Sequence, residues 1–290
     1  MDWQDGIISF YLWICAEYKN GLWAYNQRFA PYYHLSITDE EIATIYMCGV
    51  MEGLKDKKRI YTHAKNYWSA LFPKLPSYVA FIQRLNRLTD VFIALTERVH
   101  DMFDTELFSD KHNQLIDSMP IVLAKGGRRF TAKVAPEIAD KNGYCATKKM
   151  YYYGVKLHVF GSSQNNTIPV PNIIGITPAG ISDVKAYDMI LPEVIEYDKF
   201  ADKAYIGRPQ TNTFTPIKKD KRQKHLGAAE QLYSSAISSI RQPIESLFNW
   251  IEEKVSIQVA SKVRSYNGLI VHIFGKLAVA MKLMLARFSS

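Results

Sequence analysis

Apolar residues recur along this chain with two different periods. In the first hundred residues they return every three or four positions. Ile42, Ile45, Tyr46 and Gly49 follow Thr38-Asp39-Glu40-Glu41, a capping box in which Thr38 and Glu41 can satisfy each other's backbone N–H groups, so the spacing predicts a helix. Pro73 and Pro76 then punctuate the chain, and Ser77 is placed to cap one long helix with the stripe Val79, Ile82, Leu85, Leu88, Leu95 and Val99. Arg84, Arg87 and Arg98 fall off that stripe. The apolar run Gly6 to Cys15 follows Asp2 and Asp5 rather than a basic segment, so it reads as a buried helix and not an export signal.

From Asp104 to Asn113 the chain is polar and loses its period, which marks a boundary between residues 1–108, all helical, and residues 109–290. Beyond it the short-period pattern dominates. Gln114-Leu115-Ile116 is too short for a helix and reads as a buried strand that delivers Asp117 before stopping at Met119-Pro120. Tyr151 to Phe160 alternates, with Tyr153, Val155, Leu157 and Val159 on one face and Tyr152, Lys156 and His158 on the other. Val170 to Thr177 is an Ile-rich third strand. Tyr197 to Gly207 is a fourth, with Asp202 at its centre, and Thr213 to Ile217, with Pro216, is an edge strand.

Helices are expected between and after these strands. Ser182 or Asp183 caps one that runs through Ala186, Ile190, Val194 and Ile195, with Pro192 as a defect. Arg241 to Phe248 opens another, with Pro243 at the first helical position and Glu245 in the first turn. Tyr266 to Phe288 forms a last helix that closes the second domain. The succession implies an α/β domain built on a mixed sheet with flanking helices, preceded by an all-helical N-terminal domain.

Composition narrows the partners. The chain has 290 residues, room for one large or two ordinary domains, and 48% of them are hydrophobic, as a folded core requires. Lys and Arg number 36 against 28 acids, a net charge of +8, which favours a polyanionic partner. Cys15, Cys48 and Cys145 lack a metal-ligand spacing and fit a reducing cytoplasm. The apolar stretch Leu269 to Leu285 is interrupted by His272, Lys276 and Lys282, which disfavours a membrane span.

Asp117, Asp202 and Glu245 carry the candidate chemistry. Two acids on strands and one on a later helix supply hard oxygen ligands from separate elements, as a pair of Mg²⁺ ions clamping a phosphodiester needs. Two of them also have a plainer reading: a helix cap or a salt-bridged core acid for Asp117, and stabilisation by a helix N-terminus for Glu245. Arg241, four residues before Glu245 and on the same helical face, could orient it or hold a phosphate. His158 reads as a structural strand histidine and Asp183 as a helix cap. Three basic groups are candidates for DNA contact: Arg84 and Arg87; Lys125, Arg128 and Arg129; and the run Lys218, Lys219, Lys221, Arg222 and Lys224. Solvated helix faces and loops are the alternative for all three.

A resemblance extends across most of the chain. Its residues are Thr38-Asp39-Glu40-Glu41-Ile42, Leu75-Pro76-Ser77-Tyr78, Ile116-Asp117-Ser118-Met119-Pro120, Gly143-Tyr144-Cys145-Ala146-Thr147-Lys148-Lys149, Tyr153-Gly154-Val155-Lys156-Leu157-His158, Thr177-Pro178, Ser182-Asp183-Val184, Asp202-Lys203-Ala204-Tyr205 and Arg241 with Ile244-Glu245-Ser246-Leu247-Phe248. In their order and spacing the chain resembles DDE transposases of bacterial insertion sequences, most of all the insertion-sequence nine-eighty-two family.

The resemblance implies a ribonuclease-H-like fold for residues 109–290, with the first and fourth strands adjacent, and a helical DNA-binding domain before it. It also implies Asp117, Asp202 and Glu245 as catalytic metal ligands, two Mg²⁺ ions with Mn²⁺ as a substitute, and cleavage and strand transfer of DNA. The partners it implies are double-stranded transposon ends and target DNA, met by a homo-oligomer in the cytoplasm. The group's signature often has a Tyr three positions before the Arg and a Lys seven after the Glu; here Ser238 and Glu252 stand there, with Lys254 as a substitute. A decayed DNA-binding protein and a nuclease without strand transfer remain as alternatives.

Overall fold

A computed structural model describes residues 3–27, 36–103, 113–162, 167–190, 197–206, 212–220 and 222–288. The chain forms two compact units, one of Met1–Met102 with Ile251–Ser290 and the other of Phe103–Trp250. Most of the polar boundary expected from Asp104 to Asn113 lies outside the described residues.

The first unit is helical. Helices α1 (Trp3–Lys19), α2 (Asp39–Met51), α3 (Lys57–Tyr67), α4 (Tyr78–Arg87) and α5 (Thr89–Asp101) come from the N-terminal part of the chain. The capping box at α2 is formed: Glu41 N–H donates to Thr38 Oγ1 at 3.2 Å, and Thr38 N–H donates to the Glu41 carboxylate at 2.5 Å. Ile42, Ile45 and Tyr46 are buried behind it. A Cβ on Gly49 would lie 2.6 Å from Ile60, so glycine is what lets α2 and α3 approach.

The long helix expected from Ser77 is instead two. Ser77 does cap α4, but Leu88 N–H turns back to Leu85 O and Thr89 Oγ1 donates to Asn86 O at 2.9 Å. Those local bonds compete with helix continuation and end α4 there. Val79 also departs from expectation, being 63% exposed; Phe81 and Leu85, four apart, form the buried stripe.

Among the described residues, the second unit is built on six strands: β1 (Asn113–Lys125), β2 (Asn142–Cys145), β3 (Met150–Ser162), β4 (Val170–Pro178), β5 (Asp198–Ala201) and β6 (Thr213–Phe214). β1 runs antiparallel to β3 and parallel to β5, and β5 runs parallel to β6. On its other side β3 pairs first with β2 and then with β4, both antiparallel. The sheet is therefore mixed. Helix α6 (Asp183–Ile190) follows β4, and α7 (Ala228–Val255) follows β6.

Several strand limits differ from those the sequence pattern predicts. β1 continues through Pro120, because its pairing with β5 covers only Asn113 to Ile116 and the later residues form an edge on that side, where a missing N–H is tolerated. β2 has no counterpart in the predicted strands, and β6 is confined to Thr213-Phe214. Val194, Ile195 and Pro192 lie outside the described residues. Gly154 of β3 meets β1 at a bulge, where a Cβ would fall 2.1 Å from Ile121 O and only glycine fits.

Helix α8 (Tyr266–Phe288) packs mainly on α5, α2 and α4. The expectation that it closes the sheet domain is corrected: its apolar faces complete the helical core, with Leu269, Val271, Ile273, Leu277 and Val279 fully buried. Among the described residues it is the one helix long and apolar enough to cross a membrane, yet most of it is buried inside the protein. Lys276 stays within this core by donating to the carbonyls of Ser256 (3.0 Å) and Lys55 (3.2 Å).

Candidate active site

Strand register brings the two aspartates together. Parallel pairing aligns Ile116 with Ala201, and these small and apolar residues share one buried cluster with Phe160, Tyr187 and Tyr205. The residue after each one, still in extended backbone, points to the opposite face. Those residues are Asp117 and Asp202. Asp202, expected at the centre of a strand, instead immediately follows β5, where its carboxylate accepts from Lys203 N–H at 2.6 Å and caps a short 3-10 turn.

Glu245 reaches the same face through α7. The helix starts at Ala228, so Pro243 is interior and Glu245 is far from the first turn. The expected helix start at Pro243 is therefore corrected, and the N-terminal dipole no longer accounts for an acid at 245. Pro243 cannot donate to the carbonyl one turn before it, a local cost in the turn that carries Arg241 and Glu245.

Arg241 joins the set. Its Nη1 donates to Asp117 Oδ2 at 3.0 Å and its Nη2 to Glu245 Oε1 at 2.6 Å. The sequence suggested the contact with Glu245; the bridge to Asp117 depends on how α7 crosses the sheet. Burial pushes the Asp117 carboxyl up to about 6; the Ser118 N–H and Arg241 oppose this, while Asp202 and Glu245 add to it. Asp117 is thus a carboxylate whose negative charge is incompletely compensated.

These three acids offer hard oxygen donors, which suit Mg²⁺ or Mn²⁺ rather than a softer metal. Among the described residues no three His, Cys, Asp or Glu side chains stand gathered around one cation position. A divalent ion would take ligands now held by Arg241. The donor chemistry and the surplus negative charge fit such an ion.

The rival acid Asp183 serves the other face of the sheet. It accepts from Lys156 Nζ at 2.9 Å and from Ser118 Oγ at 3.1 Å, and Ser118 faces away from Asp117 by strand alternation. The sequence did not reveal this Ser118, Lys156 and Asp183 triplet, although Lys156 and Asp183 were both on view. Tyr205 lies beside it, its phenol raised well above the ordinary value by burial and then by Asp183, Asp117 and Asp202. His158 is buried against Thr177 Oγ1 at 2.8 Å, and burial lowers its imidazole to about 4, so it stands as a neutral structural group.

The basic candidates divide. Arg84 is committed inside the helical unit, donating to Ile37 O and to Asp39 Oδ1 at 2.7 Å, with 11% of its side chain exposed. Arg84 therefore lies in a nearly buried pair with Asp39 and not on an open helix face. Arg87 on the same helix is exposed. Lys125 and Arg128 are exposed, and Arg129 lies over the Phe130 ring. Lys218, Lys219, Arg222 and Lys224 are exposed, while Lys221 lies outside the described residues. Ser238 donates to Ser234 O, Glu252 accepts from Gln258 N–H, and Lys254 pairs with Glu253.

Compared with known proteins, the chain matches no family model, no curated protein and no solved structure.

Proposed function

We propose that this chain is a DDE-type DNA transposase, resembling the insertion-sequence nine-eighty-two family, which cleaves DNA at transposon ends and transfers the strand to a target. The observation that supports the reading is that Asp117 and Asp202 follow paired residues of β1 and β5 while Arg241 joins Asp117 to Glu245. The arrangement of β4, β3 and β1 antiparallel, followed by β5 and β6 parallel to β1, supports a ribonuclease-H-like fold.

Asp117, Asp202 and Glu245 would hold the Mg²⁺ ions. When bound, these ions supply Lewis-acid activation of the attacking hydroxyl and stabilisation of the leaving oxygen. The chain's own part is positioning. The short β1–β5 pairing fixes the spacing of two carboxylates, α7 delivers the third, and Arg241 is placed to turn from the carboxylates to a phosphate oxygen. The exposed Lys218, Lys219, Arg222 and Lys224 lie in the segment leading into α7 and suit sequence-independent backbone contact. A reducing cytoplasm, double-stranded DNA and a homo-oligomeric assembly on it belong to the same proposal.

The test uses the purified chain, Mg²⁺ and duplexes from the flanks of its coding region. The expected result is a nick that leaves a 3′-hydroxyl, followed by joining of that end to a target plasmid. No cleavage with either Mg²⁺ or Mn²⁺ would overturn the enzymatic reading. Cleavage without joined product would replace transposition by simple hydrolysis.

A further inference from the structure

The antiparallel β2–β3 pair places Tyr144 directly across from Tyr151. Their rings are 4.8 Å apart, yet the two residues remain 50% and 57% exposed. The turn after β1 adds two more groups to the same surface. Arg129 lies 5.3 Å from the Tyr151 ring and 4.0 Å from that of Phe130, which is 71% exposed. The result is a row: Tyr144, Tyr151, Arg129, Phe130. Burying such rings is ordinarily favourable, so a protein that leaves three of them side by side in water presents a surface for something else.

Charge identifies the partner. Between Lys125 and Tyr151 the sequence has seven basic residues and two acids, so this stretch supplies five of the chain's net charge of +8. Lys125, Arg128 and Lys149, close in sequence to members of the row, are exposed. An apolar protein partner would gain nothing from that excess, and intact duplex DNA hides its base faces within the stack. Unpaired nucleotides present both a phosphate chain and free aromatic faces, matching alternating cations and rings. We infer that the Tyr144, Tyr151, Arg129 and Phe130 row is a stacking platform for single-stranded DNA.

The platform is separate from the acids. Val159, opposite Asp117, lies eight residues along β3 from Tyr151, a distance of about 26 Å at roughly 3.3 Å per strand residue. The inference deepens the proposed function by naming unpaired bases as a partner, and it fails or stands independently of cleavage.

The experiment measures fluorescence anisotropy of the full chain with labelled oligo(dT), with an abasic strand of equal length, and with a duplex, all at one salt concentration. The abasic strand keeps the phosphates and removes the faces. The wild type should bind oligo(dT) at least about tenfold more tightly than the abasic strand, since base stacking on an aromatic commonly contributes that much. The combined variant Phe130→Ala, Tyr144→Ala, Tyr151→Ala should lose this preference, with duplex affinity changing less than about twofold. Tyr144→Phe with Tyr151→Phe should retain it, because stacking needs the ring and not the hydroxyl. Equal binding of oligo(dT) and the abasic strand by the wild type, or an undiminished preference in the alanine variant, would overturn the platform. Loss of duplex binding in step with oligo(dT) would also overturn it, by showing a general DNA surface. If cleavage is absent but the preference is present, the platform stands and the transposase reading falls; the converse result reverses the two.

Discussion

Arg241 donates to Asp117 at 3.0 Å, linking α7 to β1 across 124 residues of sequence, and the same guanidinium holds Glu245 at 2.6 Å. The charge of the acid cluster is thus compensated only in part by an internal cation. Replacing Arg241 with Gln keeps a similar length and removes the charge. Folding stability should fall by roughly 1–3 kcal/mol, most of it from the less exposed Asp117 contact, since the Glu245 side chain is 54% exposed and screened. Saturating Mg²⁺ should restore more stability to the variant than it adds to the wild type. Urea titrations with and without Mg²⁺ measure both quantities.

Asp117 gives the site a pH signature. Its folded carboxyl is raised from 3.8 to about 6, so between those values the native state binds more protons than the unfolded state. Stability therefore falls as pH rises through this window, and the penalty is fully present at pH 7. Asp117→Asn removes the penalty and should stabilise the metal-free protein at pH 7 by on the order of 1–3 kcal/mol. Near pH 4 the gain should vanish. Thermal melts at the two pH values in a metal-free buffer test the sign.

How the sequence led to this site, and where it stopped, is visible in these residues. Asp117 and Asp202 were legible because short apolar runs lead into both. Their adjacency depends on β1 and β5 pairing across the intervening chain, which local pattern cannot specify. Glu245 was found, but Pro243 gave a false helix start, because tertiary burial of Ile244 and Leu247 outweighs the proline's local cost. Arg84 looked like a surface cation because period alone cannot see Asp39 on another helix. The exposed aromatic row was hidden because Tyr144 falls in a strand too short to alternate visibly.

Helix α8 yields a prediction about the helical unit. Its buried Leu269, Val271, Ile273 and Leu277 rely on packing against α5, α2 and α4. Deleting residues 1–102 strips that packing and leaves an apolar helix exposed. The truncated chain should aggregate, whereas the full chain should remain soluble. Sedimentation at matched concentration distinguishes them.

The basic run makes a salt-dependent claim. Neutralising Lys218, Lys219, Lys221, Arg222 and Lys224 together should weaken binding to all duplexes alike and flatten the dependence of log affinity on log salt by about 0.9 for each phosphate that is no longer neutralised. Anisotropy titrations across a salt series read the slope. An unchanged slope would assign the run to solvent.

The central claim is that Asp117, Asp202 and Glu245 act together on DNA through a divalent cation. The most direct measurement compares Asp117→Asn, Asp202→Asn and Glu245→Gln with the wild type for Mg²⁺-dependent nicking of terminal DNA, alongside duplex affinity in the same buffer. Each substitution keeps shape and removes one negative ligand. All three should reduce nicking by at least about a thousandfold, the scale of losing several kcal/mol of transition-state stabilisation, while duplex affinity stays within a few-fold. Wild-type nicking by any one of the three variants would contradict the claim for that residue, and wild-type nicking by all three would place the chemistry elsewhere.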